Sequence, residues 1–234
     1  MENTSDKFFN LSLGDWLGHC QTVGVPYIPA TRISDVPVRD LYKGFDGIRT
    51  ESVDTMYKEF TQYMQDHPGH MWRWDCCSSE DLKHDMAKGG KPGEKSFKFL
   101  LDDCRLSDIL VDWNRERLVI WGRPWWEALM HEGWPVELRV FTWEGKIIGC
   151  SNYYPQRPLP DHMLHLAHGA IKLANQLNFP CPSFTADFLV DSHGDLVFIE
   201  GGPPHTPTWG AHMCCFKPGE IDGIAFTERN EKRK

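Results

Sequence analysis

Two acidic residues, Asp187 and Glu200, give the first chemical signal in this chain, because they flank the turn of a predicted β-hairpin over residues 184–205. Apolar and β-branched residues fill both arms, and the SHGD run at 192–195 supplies turn residues. If the loop holds two or four residues, Asp187 lies directly opposite Glu200, with the two Cβ atoms about 5 Å apart. Such carboxylates repel each other unless a proton or a cation lies between them, and Mg²⁺ with a bound nucleotide is such a cation. The alternative is an ordinary hairpin with both acids solvated.

The predicted repulsion has a consequence for stability. Replacing either acid relieves it, so we expect Asp187→Ala and Glu200→Ala to leave the melting temperature of the nucleotide-free protein unchanged or slightly raised. The same variants should bind a Mg²⁺-nucleotide more weakly.

The cysteines indicate reduced thiols. Eight are present, and the two adjacent pairs among them lack the C-x-x-C spacing of a zinc ligand set. A chain of this length does not need a disulfide scaffold, so we expect a reducing cytoplasm and free, mostly buried thiols. A zinc site is the alternative; its ligands would be Cys214, Cys215, His205 and His212.

A glycine-rich basic stretch, KGGKPGEK at residues 88–95, is either a flexible linker or a loop that covers phosphates. It lacks the G-x-x-x-x-G-K-[ST] pattern, so it is not a P-loop.

Composition excludes several classes of function. The chain has 234 residues and a net charge of −8, which argues against broad binding to nucleic acid or anionic membranes. No apolar run approaches the roughly 20 residues needed to span a bilayer, and the amino terminus does not resemble a signal peptide. We therefore expect a cytoplasmic protein with no nucleic-acid or membrane partner.

Periodicity gives the elements that must position the acids. Helical spacing of apolar residues predicts four helices, at residues 1–24, 51–66, 96–110 and 161–177. Alternation predicts strands at 70–75 and 117–121, a turn carrying Arg123 at 122–126, and hairpins at 135–151 and 184–205. Residues 35–42 are predicted to be a turn or short strand, and residues after 204 an irregular tail. Helices separated by antiparallel hairpins indicate an α+β fold.

Five motifs in this order resemble the ATP-grasp fold. They are MWRWD at 71–75, SSEDLK at 78–83, the apolar strand ending near Arg123, ELRVF at 137–141 with GKIIG at 145–149, and ADFLVDSHGDLVFIE at 186–200. Within that fold the chain is most similar to the cell-division-cycle one-two-three family, eukaryotic proteins that help assemble a translation initiation factor. It also resembles the arginine-and-two-lysine clade of ATP-grasp proteins. The resemblance implies two α+β lobes with antiparallel sheets and a nucleotide cleft between them, at residues 1–120 and 121–234.

The resemblance also implies roles for basic residues. Arg73 stands where ATP-grasp proteins carry a nucleotide-binding lysine, and Lys83 would be a second basic group on the phosphates. Arg139 matches the arginine that faces the triphosphate, so Arg139 and Lys83 are the implied catalytic groups. The alternative keeps Arg73 and Arg139 as exposed strand residues paired with Asp75 and Glu137.

The remaining implied contacts complete a Mg-ATP site. Asp187 and Glu200 match the two acidic metal ligands. Arg123 joins the nucleotide contacts, and the adjacent strand would present its backbone to adenine through Leu118, Val119, Ile120 and Trp121.

One departure divides the functional hypotheses. ATP-grasp proteins usually carry asparagine two residues after the second acid, and this chain has Gly202. His205 is a candidate substrate or phosphate contact, because Mg²⁺ accepts nitrogen ligands poorly. The resemblance therefore implies either an ATP- and Mg²⁺-dependent carboxylate–amine ligase of unknown acceptor, or an ATP-bound assembly chaperone without turnover.

Overall fold

The structure is a computed structural model that describes residues 11–75, 115–205 and 211–227. The chain divides into two compact units, residues 29–125 and residues 1–28 together with 126–234. The mixture of helices with mainly antiparallel sheets confirms the predicted α+β class. The elements, in chain order, are α1 (Leu13–Val23), β1 (Thr31–Pro37), α2 (Val38–Phe45), α3 (Glu51–Asp66), β2 (His70–Trp74), β3 (Arg117–Pro124), β4 (Met130–His131), β5 (Trp134–Pro135), β6 (Glu137–Trp143), β7 (Lys146–Asn152), α4 (Leu164–Leu177), β8 (Phe184–Val190), β9 (Leu196–Gly202) and β10 (Gly223–Ala225).

The unit of residues 29–125 contains an antiparallel sheet in the order β1–β3–β2. Helix α3 was predicted with the correct bounds, and the Thr50 side chain caps it by accepting a hydrogen bond from the Val53 amide. Its apolar stripe packs into a core with Trp72, Trp74 and Ile120. The strand predicted at 70–75 is also confirmed, as β2.

One prediction for this unit was wrong, and a second was correct only in part. Strand β3 continues to Pro124, so Arg123 lies in a strand and not in a turn. The strand continues because Gly122 pairs with Thr31 on one side and Trp72 on the other. Its missing side chain leaves room for Tyr63, since a Cβ at Gly122 would lie 2.1 Å from a Tyr63 ring carbon. The segment predicted as a turn or short strand at 35–42 is the end of β1 followed by the start of α2, which begins directly after Pro37.

The second unit contains a five-stranded sheet in the order β10–β7–β6–β8–β9. Helices α1 and α4 contact this sheet, and Trp16 of α1 stacks on Phe179 and meets Phe184 edge to face. Gly201 permits this packing, because a Cβ there would lie 2.1 Å from the Trp16 ring. Side chains alternate between the two faces along β8, so Asp187, an odd number of residues from Phe184, points to the face opposite Trp16.

Strand β10 corrects the prediction of an irregular tail. Its three residues pair in parallel with β7, and a strand this short shows no alternation that sequence reasoning could detect. The remaining hairpin predictions are confirmed. The opening helix, predicted over residues 1–24, is confirmed only as α1, which begins after the capping residue Ser12 and ends at the left-handed Gly24; residues 1–10 lie outside the described residues. The helix predicted at 161–177 begins as a 3₁₀ turn and becomes α4 at Leu164.

Several predictions lie outside the described residues: Lys83, the 88–95 loop and the 96–110 helix. Among the helices that the structure does describe, none has the length and apolarity to cross a membrane.

Candidate functional site

The hairpin β8–β9 places Asp187 directly opposite Glu200, as predicted. The reason differs from the prediction, however. Five residues separate the paired Val190 and Leu196, and an odd loop by itself would bring Asp187 opposite Ile199. One extra residue on β9, next to Glu200, forms a bulge that shifts the register by one position and restores the pairing of the two acids.

The acids belong to a row that crosses four strands. Ser151 on β7 lies opposite Arg139 on β6, Arg139 lies opposite Asp187 on β8, and Asp187 lies opposite Glu200 on β9. Directly opposed residues in a sheet project from the same face. The row therefore brings one guanidinium and two carboxylates together, in the unit that contains residues 126–234.

Arg139 and Asp187 form a bidentate ion pair. Arg139 Nε donates to Asp187 Oδ1 at 2.7 Å and Nη2 donates to Oδ2 at 2.6 Å. Asp187 is 0% exposed and Arg139 is 7% exposed. Burial by itself would lower the pKa of the Arg139 guanidinium, but the Asp187 carboxylate raises that pKa well above its ordinary value. The cation that compensates Asp187 is thus a residue of the chain itself.

This pair overturns two alternatives. Arg139 pairs with Asp187 and not with Glu137, and it is buried rather than exposed. Asp187 is likewise not a solvated acid at a strand end. Because Arg139 compensates it, the prediction that Asp187→Ala leaves the melting temperature unchanged or raised has lost its premise.

The Arg139 guanidinium makes two further contacts. Its Nη1 donates to the carbonyl oxygen of His212 at 3.2 Å, and its Cζ lies 4.7 Å from the centre of the Tyr153 ring. Sequence reasoning missed both partners, because neither belongs to a motif. Of the five guanidinium N–H groups, three have acceptors, so two lack an acceptor among the residues that the structure describes.

Gly202, the departure from the ATP-grasp pattern, lies opposite Thr185. A Cβ at Gly202 would lie 2.5 Å from Thr185 Oγ1, and that hydroxyl donates to the carbonyl oxygen of Pro203. The space that an asparagine would need is therefore filled by a threonine already engaged in a hydrogen bond.

The zinc alternative is not supported. Across residues 11–75, 115–205 and 211–227, no three His, Cys, Asp or Glu side chains form a group that could hold a metal. The Cys215 thiol instead donates to Asn152 Oδ1 at 2.9 Å, and His212 Nδ1 accepts from the Cys214 amide. Mg²⁺ is different, because it commonly uses one or two carboxylates and takes its other ligands from substrate phosphates and water. Asp187 and Glu200 fit that requirement.

The other predicted nucleotide contacts lie in the unit of residues 29–125. Arg73 is 1% exposed, lies opposite Trp121, and donates from Nε to the carbonyl oxygen of Trp74. Asp75 pairs with Arg115, which donates to Oδ2 at 2.6 Å, and it also accepts from the indole of Trp121 at 2.8 Å. The alternative of an exposed Arg73 paired with Asp75 is thus not supported.

Strand β3 lies between β1 and β2, so its backbone pairs on both sides. The side chains of Leu118 and Ile120 are buried in the core, whereas those of Val119 and Trp121 are half-buried. The contact of this strand with adenine stays a prediction, and its backbone is already paired with β1 and β2. Arg123, on the same strand, is buried and lies opposite Met71.

Comparison with solved structures identifies the fold. A C-terminally truncated Cdc123 from Schizosaccharomyces pombe matches with a TM-score of 0.64 and 12% identity, over 96% of this chain and 97% of that chain. A second Cdc123 structure from that organism matches with a TM-score of 0.61 and 12% identity, over 84% and 85%. D-alanine-D-alanine ligase from Coxiella burnetii matches with a TM-score of 0.41 and 13% identity, over 85% of this chain and 49% of that chain, which is too weak to support an inference.

No protein-family model matches the sequence, and a search of the curated proteins finds no match either. At 12% identity the likeness to Cdc123 establishes the fold and no more. The chain has the ATP-grasp fold in the form seen in Cdc123.

Proposed function

We propose that this chain binds ATP with Mg²⁺ and uses it to join a carboxylate to an amine. The observation that carries the proposal is the row Arg139–Asp187–Glu200, in which a buried guanidinium and two carboxylates share one face of an ATP-grasp sheet. Such a row offers both a cation for phosphate oxygens and two oxygen ligands for a metal.

Arg139 is suited to a triphosphate because Asp187 does not use all of its donors. Three of its five N–H groups are occupied by protein acceptors of the described chain, and the other two can donate to phosphate oxygens. The Asp187 carboxylate keeps the guanidinium charged and fixes one of its edges. A fixed cation at the phosphates supplies positioning and charge stabilisation, which are most of what phosphoryl transfer requires.

Asp187 and Glu200 would hold the metal together with phosphate oxygens. Each oxygen of a carboxylate has two lone pairs, so Asp187 can accept from Arg139 and still bind a metal. When bound, Mg²⁺ neutralises phosphate charge and orients the triphosphate.

The unit of residues 29–125 supplies the other proposed contacts. Arg73 and Arg123 would bind phosphates, and Val119 and Trp121 would contact the adenine ring. Lys83 remains the proposed second phosphate-binding and catalytic group.

In the proposed reaction a substrate carboxylate attacks the γ-phosphorus of ATP, which releases ADP and forms an acylphosphate. An amine then attacks the acyl carbon, an amide bond forms, and inorganic phosphate leaves. The test is ADP release from purified protein incubated with Mg-ATP and panels of carboxylates and amines, each panel also being supplied separately. Turnover that requires both classes is the expected result; hydrolysis that neither class stimulates would contradict it.

Gly202 favours a second candidate function, in which the protein binds ATP and a protein partner but does not turn ATP over. Thr185 occupies the space beside Gly202, so a third metal-binding side chain is excluded at the position where ATP-grasp proteins usually have one. Purification of the tagged chain from its native cell, with and without Mg-ATP, would separate the candidates. One stoichiometric partner that depends on nucleotide, together with ATP binding but no turnover, would favour the second candidate. We also propose that the protein works in a reducing cytoplasm, which is supported by the five free, buried cysteines of the described chain.

A further inference from the structure

Tyr153 follows the last residue of β7 and lies diagonally across from Arg139 of β6. Ser151 is directly opposite Arg139, and Tyr153, two residues later, projects from the same face of the sheet. The amide of Tyr153 donates to the carbonyl oxygen of Glu137, which extends the pairing with β6 beyond the end of β7. Diagonal neighbours are within reach of aromatic side chains, and the Tyr153 ring centre lies 4.7 Å from Arg139 Cζ.

The ring controls a degree of freedom that the ion pair leaves open. Two hydrogen bonds along one edge hold the guanidinium against Asp187 but allow it to rotate about the line that joins the two groups. The carbonyl oxygen of His212 restrains this rotation from one side, through Nη1. The Tyr153 ring, over which Arg139 Cζ lies, restrains the guanidinium further and adds a cation–π attraction that is strongest where water is excluded.

We propose that Tyr153 is a positioning residue for Arg139. Its ring sets the plane of the guanidinium, so that the two N–H groups without acceptors in the described chain are directed at a triphosphate. This inference rests on the proposed function for its link to ATP, but the orientation of Arg139 by Tyr153 can be measured without nucleotide.

The test compares Tyr153→Phe, which keeps the ring, with Tyr153→Leu, which keeps an apolar side chain without it. The dissociation constant of Mg-ATP should change less than about twofold in the phenylalanine variant and rise about fivefold to thirtyfold in the leucine variant. The same leucine substitution in an Arg139→Lys background should have little further effect, because the group that the ring positions has gone. Equal weakening in both backgrounds, or no weakening by leucine, would overturn the proposal.

A second measurement separates this proposal from the proposed function. In the nucleotide-free protein, exchange of the Arg139 Nε–H with solvent, followed by NMR, should be faster in Tyr153→Leu than in Tyr153→Phe. If that difference is present but the parent does not bind Mg-ATP, the proposed function fails and the positioning of Arg139 stands. If the two variants exchange at the same rate, Tyr153 does not position Arg139.

Discussion

Arg139 and Asp187 are joined edge to edge across two neighbouring strands, with hydrogen bonds of 2.7 and 2.6 Å, and both side chains are buried in the face of the sheet. Burying two charges is offset by their mutual attraction only while both are present. Removing either residue would therefore leave the charge of the other buried without compensation.

The first prediction concerns the loss of one partner. Asp187→Ala should lower the free energy of unfolding by about 3–5 kcal/mol, because it leaves the Arg139 cation buried without its carboxylate. Urea denaturation without nucleotide measures this loss. Asp54→Ala is the matched control; it removes an exposed carboxylate paired with Arg49 and should change stability by at most about 1 kcal/mol. A similar small change in Asp187→Ala would contradict the assignment of a buried pair.

The second prediction concerns the missing asparagine. Gly202→Asn should destabilise the protein by about 1–3 kcal/mol, because its Cβ would overlap the hydroxyl of Thr185. Removing that hydroxyl makes room, so Gly202→Asn should cost less stability in a Thr185→Ala background than in the parent. Thermal unfolding of the four proteins in this cycle measures the coupling. Additive effects would show that Thr185 does not occupy the asparagine site.

The third prediction concerns pH and His70, whose Nδ1 lies 2.7 Å from the hydroxyl of Tyr63. Burial and then the neighbouring His67 lower the pKa of His70 below its ordinary value. Below about pH 6.5 the unfolded chain therefore takes up a proton that the folded chain resists, and stability falls as the pH drops through this range. NMR titration should give His70 a pKa below that of a histidine in an unfolded peptide, and His70→Asn should lose less stability between pH 7 and pH 5. Equal losses in parent and variant would remove His70 as the cause.

The fourth prediction concerns two buried thiols. Burial raises the pKa of Cys20 to about 12 and that of Cys214 to about 12. The thiolate is the reactive form, so at pH 8 both should resist alkylation in the folded protein and react after unfolding in urea. Peptide mass spectrometry after a timed iodoacetamide pulse resolves each site. Rapid labelling of Cys214 in the folded protein would be inconsistent with its buried position beside Arg139.

Local patterns allowed much of the fold to be predicted. Helix α3 has one apolar stripe, a capping threonine and a Pro-Gly stop, so periodicity and end signals agree on its bounds. Strand β3 was cut short because Gly122 resembles a turn residue in sequence. Its actual role, to admit the ring of Tyr63, depends on a contact between residues far apart in the chain.

The site shows the same division between local and non-local information. The opposition of Asp187 and Glu200 follows from a hairpin, although the bulge that produces it could not be predicted from alternation. The pairing of Arg139 with Asp187 depends on β6 lying beside β8, across a gap that contains β7 and α4. No spacing rule gives that neighbourhood, nor the contacts of Arg139 with Tyr153 and His212.

The most direct measurement of the central claim is calorimetric titration of ATP into the parent and into Arg139→Lys, each with and without Mg²⁺. The lysine keeps a positive charge beside Asp187 but loses the second edge of the guanidinium. We predict saturable binding to the parent that weakens when the metal is removed, and binding to Arg139→Lys that is about tenfold weaker or more, as expected for the loss of about 1.4 kcal/mol. Absence of binding to the parent, or equal affinity in parent and variant, would contradict the claim that this row of residues receives a triphosphate.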